Sequence, residues 1–135
     1  MTRKTAAAAA MTLGLASACV SLPAFAQSHP EYITGLAHGV KAVLYRPDNN
    51  PAPHVGVVVM HRTSNYLNHA ACTQLSQRGL MVLCMNSRFD NNEALVNWEL
   101  IAQDVGVGVS YLKNTQHISK VVLFGHSGGG PTMSY

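Results

Sequence analysis

The chain has 135 residues, 47% of them hydrophobic and only 11% charged, with a formal net charge of +3. That bounds it at one small globular domain. The positive balance is weaker than it looks, because two of the nine basic residues, Arg3 and Lys4, open the chain.

They precede an uncharged stretch of apolar and small residues from 6 to 20, and Ala24-Phe25-Ala26 forms an A-x-A cleavage site before Gln27. This is the layout of a secretory signal peptide over residues 1–26, too short and too alanine-rich for a stable membrane span. Ala16-Ser17-Ala18-Cys19 loosely resembles a lipoprotein box, with Ala where Leu is usual. The A-x-A site is the cleaner signal, so the protein is read as exported, periplasmic or secreted, rather than as a lipoprotein. Without the leader, seven basic residues face six acidic ones, a net charge of +1. No basic patch then argues for nucleic acid or for an anionic membrane.

Residues 27–31 read as a polar lead-in, 32–34 as a first strand and 40–46 as a second. Residues 47–53, rich in Pro, Asp and Asn, read as a turn. His38 and His54 flank these segments as loop histidines, and no spacing here resembles a metal site. Residues 55–60 form a continuous apolar run, the signature of a strand buried on both faces. Ser64 or Asn65 then caps a helix bearing Leu67, Ala71 and Leu75 that stops at Gly79. A second buried strand spans 80–85. A longer helix over 93–113 carries a stripe of Leu95, Trp98, Ala102, Val105, Val109 and Leu112, with Gly106 and Gly108 suggesting close approach to a sheet. Cys72 and Cys84 read as two separate buried thiols. A bridge, which export would permit, is the alternative and is worth about 3 kcal/mol.

Residues 121–124 feed Gly125-His126-Ser127-Gly128-Gly129, a G-x-S-x-G pattern. A serine hydroxyl is a poor nucleophile unless it is presented clear of the backbone beside a base and oxyanion donors. A sharp strand-to-helix turn does this by straining the serine, and side chains two positions before and after would collide, hence the glycines. The next helix, with Pro131 in its first turn, aims N–H groups at the charge that develops in acyl transfer. A phosphate loop is excluded, since no G-x-G-x-x-G frame fits and no Lys-Ser/Thr follows. Strands alternating with helices imply parallel strands covered by helices on both faces. Ligands then bind beyond the strands' carboxyl ends, where the loops at 61–65, 86–90 and 127 meet.

With these residues the sequence resembles the α/β-hydrolase superfamily, in particular its secreted bacterial serine esterase-like members, from about Val40 to residue 135. That family's His-Gly-x segment is matched by His61-Arg62-Thr63, its Asp-x-Arg-Gly segment by Asn86-Ser87-Arg88-Phe89, its helix aspartate by Asp104, and its nucleophile elbow by Gly125, His126, Ser127, Gly128 and Gly129. The resemblance implies an α/β fold with a mostly parallel sheet and flanking helices, and a hydrolase of small-molecule ester-like substrates working through an acyl-enzyme without metal or organic cofactor. It makes Ser127 the nucleophile and the backbone N–H of Gly128 one oxyanion donor. The second donor is the N–H of Thr63, or of Arg62 if the segment is shifted by one. Arg62 stands where the family usually has glycine. It is either a solvated loop arginine or a cation favouring an acidic acyl or leaving group.

The family places its acid and then its histidine well after the serine. Eight residues follow Ser127 here, and His29, His38, His54, His61, His69, His117 and His126 all precede or adjoin it. His126 is expected in the cleft wall and His61 in a structural role. Residues 27–135 thus read as the N-terminal part of an α/β-hydrolase domain, truncated after the elbow and inactive alone. The strand at 121–124 is then left as an uncovered apolar edge. A non-catalytic binding relative, or a gene remnant, is the alternative. Expression in a Gram-negative host should yield a mature chain beginning at Gln27 on N-terminal sequencing; Met1 or a lipid-modified Cys19 would refute cleavage after Ala26.

Overall fold

In the computed structural model, which describes residues 27–135, the two continuous apolar runs lie side by side at the centre of one sheet. They form β3 (Val55–His61) and β4 (Met81–Asn86), paired in parallel with Val58 opposite Leu83. Alternate side chains part to opposite faces. Val58, Met60, Leu83 and Met85 join Ile101, Val105 and Leu112 on one side, and Val57, Val59, Val82 and Cys84 meet Tyr66 and Cys72 on the other. Covered on both faces, neither strand needs polar residues in alternation. The leader expected over residues 1–26 lies outside the described residues.

Around this pair the sheet runs β1-β2-β4-β3-β5, with β1 at Ser28–Ile33, β2 at Lys41–Pro47 and β5 at Lys120–Phe124. The helices are α1 (Ala70–Ser76), α2 (Trp98–Ser110) and α3 (Gly129–Ser134). Strands β4, β3 and β5 are mutually parallel, while β1 and β2 form an antiparallel pair joined antiparallel to β4. The fold is α/β with a mixed sheet. The residues read as a polar lead-in are in fact the first part of β1, with Ser28 opposite Pro47 and Ile33 opposite Ala42. As an edge strand exposed along most of its length, β1 carries no apolar alternation to reveal it.

Both helices start later than their patterns predict. The first is capped not by Ser64 or Asn65 but by His69, whose Nδ1 accepts the Ala71 N–H at 3.2 Å. The second starts at Trp98, after Asn97, whose Oδ1 accepts the Leu100 N–H at 3.0 Å, and one wider turn over Tyr111–Thr115 follows it. Its buried face is Ile101, Asp104, Val105 and Gly108, so Leu95 and Ala102 leave the expected stripe and Leu95 is exposed. Gly108 faces Met85 and Val58, and a side chain there would overlap the Met85 sulfur; Gly106 faces open space. The close approach is made by one glycine of the two.

Two further links tie helices to sheet. Cys72 of α1 and Cys84 of β4 form a disulfide, not the two separate thiols expected, because α1 lies directly over β4. Closing so short a loop is worth about 3 kcal/mol in the chain-entropy picture. Asp104 of α2 is fully buried and paired with Arg88 beyond β4. Its Oδ1 accepts from Arg88 Nε at 2.9 Å and Nη2 at 2.6 Å, and its Oδ2 from the Arg88 main-chain N–H at 2.8 Å. The family positions matched as separate segments in the sequence are thus one ion pair.

At the other margin, β5 is an edge with Val122 and Leu123 about 41% and 40% exposed. Among the described residues no helix is long and apolar enough to cross a membrane. Asp104→Ala would strand the Arg88 guanidinium and an amide, so urea unfolding should show a loss of roughly 3 kcal/mol. A loss under about 1 kcal/mol would mean the pair does not hold α2.

Candidate active site

The carboxyl ends of β3, β4 and β5 lie at one edge of the sheet. The helix after β3 packs on one face, while Met133 of α3, after β5, packs on the other with the α2 cluster. Neighbouring strands whose connections leave to opposite faces open a crevice between them. The serine turn and the loop after β3 meet there.

Ser127 has φ +55°, the left-handed region, which costs a non-glycine residue about 1–3 kcal/mol. The turn is closed by Gly129 N–H to the His126 carbonyl at 2.9 Å and Gly130 N–H to the Ser127 carbonyl at 3.0 Å. A Cβ on Gly125 would fall inside the Gly129 carbonyl, and one on Gly129 would come within 2.6 Å of the Met60 carbonyl oxygen. The two flanking glycines therefore let the chain cross over itself while seated on the end of β3. Ser127 is exposed at the sheet edge. The Tyr66 hydroxyl donates to the His126 carbonyl at 3.0 Å, and the exposed His126 ring lies 6.0 Å from His69, which stacks on Tyr66 at 4.4 Å.

The loop after β3 is organised by His61. Its Nδ1 accepts the N–H groups of Thr63 at 3.1 Å and Ser64 at 2.9 Å. An imidazole accepting at Nδ1 is neutral and carries its proton on Nε2, so His61 is a donor there and not a base. Burial, and then the neighbouring Arg62 charge, lower its pKa below the ordinary imidazole value, against an opposing pull from Glu93. Asn86, at the end of β4, accepts the Tyr66 N–H at 2.8 Å and donates to Asp90 at 3.0 Å. The Ser87 hydroxyl donates to the Arg62 carbonyl and Asn91 N–H to the Thr63 carbonyl at 2.8 Å. Glu93 receives Arg62 Nε at 2.6 Å, Arg62 Nη2 at 2.5 Å and the Thr63 hydroxyl at 2.5 Å. Hydrogen bonds from Arg62 first and Thr63 second hold its carboxyl below the usual range.

The structure therefore brings His61 and Arg62 to the turn that holds Ser127. A Cβ on Gly128 would stand 2.6 Å from His61 Nε2 and 3.0 Å from Arg62 Nη1. Arg62 is part-exposed and pairs through two of its nitrogens with the exposed Glu93 carboxylate. The Thr63 N–H, the first choice for a second oxyanion donor, is already given to His61. Among the described residues no grouping of His, Cys, Asp or Glu could hold a metal ion. Glu93 and Tyr66 were missed from sequence. Glu93 lies 31 residues from Arg62 and reads locally as a helix start, and Tyr66 reads as one residue of a helix.

No protein-family model and no curated protein matches the sequence. Solved structures do. Est1E from Butyrivibrio proteoclasticus matches at TM-score 0.56 and 20% identity, covering 76% of this chain and 42% of that one. A hypothetical protein, PA2218, from Pseudomonas aeruginosa matches at 0.60 and 14%, covering 92% and 43%. Brefeldin A esterase, a bacterial homologue of human hormone sensitive lipase, matches at 0.56 and 20%, covering 91% and 36%. At these identities the likeness is one of fold, the α/β-hydrolase fold, and the chain spans less than half the length of the structures it matches.

Because the folded protein disfavours the His61 imidazolium, the unfolded chain takes up a proton first as pH falls. Stability should therefore decline as pH drops below about 6.5, and be fully recovered above it. In His61→Gln the slope of urea-unfolding free energy against pH between about 6.5 and 5 should flatten. An unchanged slope would mean that other groups carry it.

Proposed function

We propose, from an α/β-hydrolase fold whose serine turn sits over the end of β3, that the protein is a serine hydrolase of small-molecule ester-like substrates. The carrying observation is Ser127 at φ +55° between Gly125 and Gly129, neither of which has room for a side chain. That arrangement lifts the hydroxyl out of the backbone at the crevice mouth. The Ser127 Oγ attacks the carbonyl carbon and its proton passes to an imidazole. The oxyanion collects at the donors around Gly128, and the alcohol leaves with the proton the imidazole returns. Water then repeats the cycle on the acyl-enzyme.

The imidazole in this scheme is not one of those near the turn. His61 gives its Nδ1 to the loop. The His126 ring is carried on the residue next to Ser127 in the wall formed with His69. The base and its carboxylate are assigned to residues after position 135, at strand ends on Ser127's side of the sheet. The brefeldin A esterase likeness supports ester chemistry for the whole protein, and the leader pattern supports export to the periplasm or medium. A non-catalytic binding protein on the same fold is the competing reading, and Ser127 separates the two.

The protein expressed from its whole reading frame should be labelled by a fluorophosphonate, which bonds to Oγ with loss of fluoride. Ser127→Ala should abolish that labelling. Undiminished labelling in Ser127→Ala would remove the serine from the mechanism, and no labelling of the unaltered protein would favour the binding reading. A polypeptide ending at residue 135 should hydrolyse p-nitrophenyl acetate at least about 1,000-fold more slowly than the whole protein.

A further inference from the structure

The loop after β3 is expected to turn a main-chain N–H toward the oxyanion, yet the Thr63 N–H is donated to His61 Nδ1 at 3.1 Å. That loop is also pinned against rotation. Its carbonyls at Arg62 and Thr63 are taken by the Ser87 hydroxyl and the Asn91 N–H, and Tyr66 N–H is held by Asn86. The Thr63 N–H shares its peptide with the Arg62 carbonyl, so turning it away from His61 would also break the Ser87 bond. The Arg62 side chain is differently placed. Glu93 grips Nε and Nη2, whereas Nη1 makes no hydrogen bond to the described residues and stands 3.0 Å from the position of a Cβ on Gly128. Gly128 is the residue whose N–H follows Ser127. His61 Nε2 lies nearer still to that position, at 2.6 Å, so both side chains close on the bare backbone of Gly128.

We propose that Arg62 supplies the second oxyanion donor through Nη1, in place of the main-chain N–H that Thr63 has committed to His61; the assignment rests on the serine-hydrolase reading above. A charged donor forms a shorter and stronger hydrogen bond to a developing oxyanion than an amide does. Held in place by Glu93, it reorganises little as the charge forms, which is what makes such donors effective. Glu93 also fixes the substrate class. The Arg62–Glu93 pair carries no net charge as a unit, so the N–H groups of Nη1 can serve neutral esters without need of an acidic acyl or leaving group.

The test uses the protein expressed from its whole reading frame and p-nitrophenyl acetate. Arg62→Ala keeps the main-chain N–H of residue 62 and removes only the guanidinium. It should lower kcat by about 100- to 1,000-fold with little change in KM. Ethylguanidinium added to that variant should restore about tenfold or more of the loss, a recovery that a merely structural role would not give. Glu93→Gln, which keeps Arg62 but loosens its hold, should lower kcat by about tenfold. If Arg62→Ala gives no folded protein by circular dichroism, Arg62→Lys decides. Folded with kcat lowered about tenfold or more it supports the assignment, and with kcat unchanged it overturns it. Arg62→Ala keeping kcat within about threefold while Ser127→Ala is inactive would overturn the Arg62 assignment and leave the hydrolase reading standing. So would a loss that ethylguanidinium does not relieve. An active Ser127→Ala would instead remove the hydrolase reading, and this assignment with it.

Discussion

The architecture at the sheet edge depends on one close approach, the serine turn crossing itself and resting on β3. Gly129 has no room for a side chain because the Met60 carbonyl lies against it, and Gly125 has none because the Gly129 backbone does. Only a bare backbone at both positions allows the chain to leave β5, reverse, and start α3 within a few residues while Ser127 is held at positive φ. The strain of that residue persists because the surroundings over-determine it, with two turn hydrogen bonds and the Tyr66 hydroxyl on the His126 carbonyl.

β3 makes that crossing useful. It is the strand flanked in parallel by both β4 and β5, and its end delivers His61 and Arg62 to within contact of Gly128. The loop that follows would be costly to bury unless its polar groups were satisfied. They are satisfied chiefly by side chains: His61 for two amides, Asn86 for a third, Ser87 for a carbonyl, and Glu93 for Arg62 and Thr63. Such networks fix geometry because a half-satisfied version is worse than none. On the β3 side the loop's polar groups are thus tied into one hydrogen-bonded network.

The rest of the fold serves this edge at a distance. The Arg88–Asp104 pair secures α2 to the segment after β4, and the Cys72–Cys84 bridge secures α1 over the other face. Gly108 lets α2 come close enough to press on Met85 and Val58. With both helices held, β3 and β4 keep a common register, and their loops keep a common level.

The central strands, the presence of two covering helices and the serine turn were legible in the amino-acid order because each is written locally. Unbroken apolar runs mark strands buried twice, and glycine at fixed offsets from a serine marks a backbone that must pass close to itself. The helix starts, the first part of the edge strand β1 and the disulfide were not legible. The last two depend on partners distant in the chain: β2 for the residues from Ser28, and the seating of α1 on β4 for Cys72 and Cys84. The same holds at the site. Sequence by itself put Ser127, Gly128, Arg62 and Thr63 in one neighbourhood through a family resemblance. Only the tertiary structure decided that Thr63 gives its N–H to His61, and that Glu93, 31 residues away, pairs with Arg62. Hydrogen bonds between loops are set by where strand ends meet in space, and no local pattern of residue types encodes that.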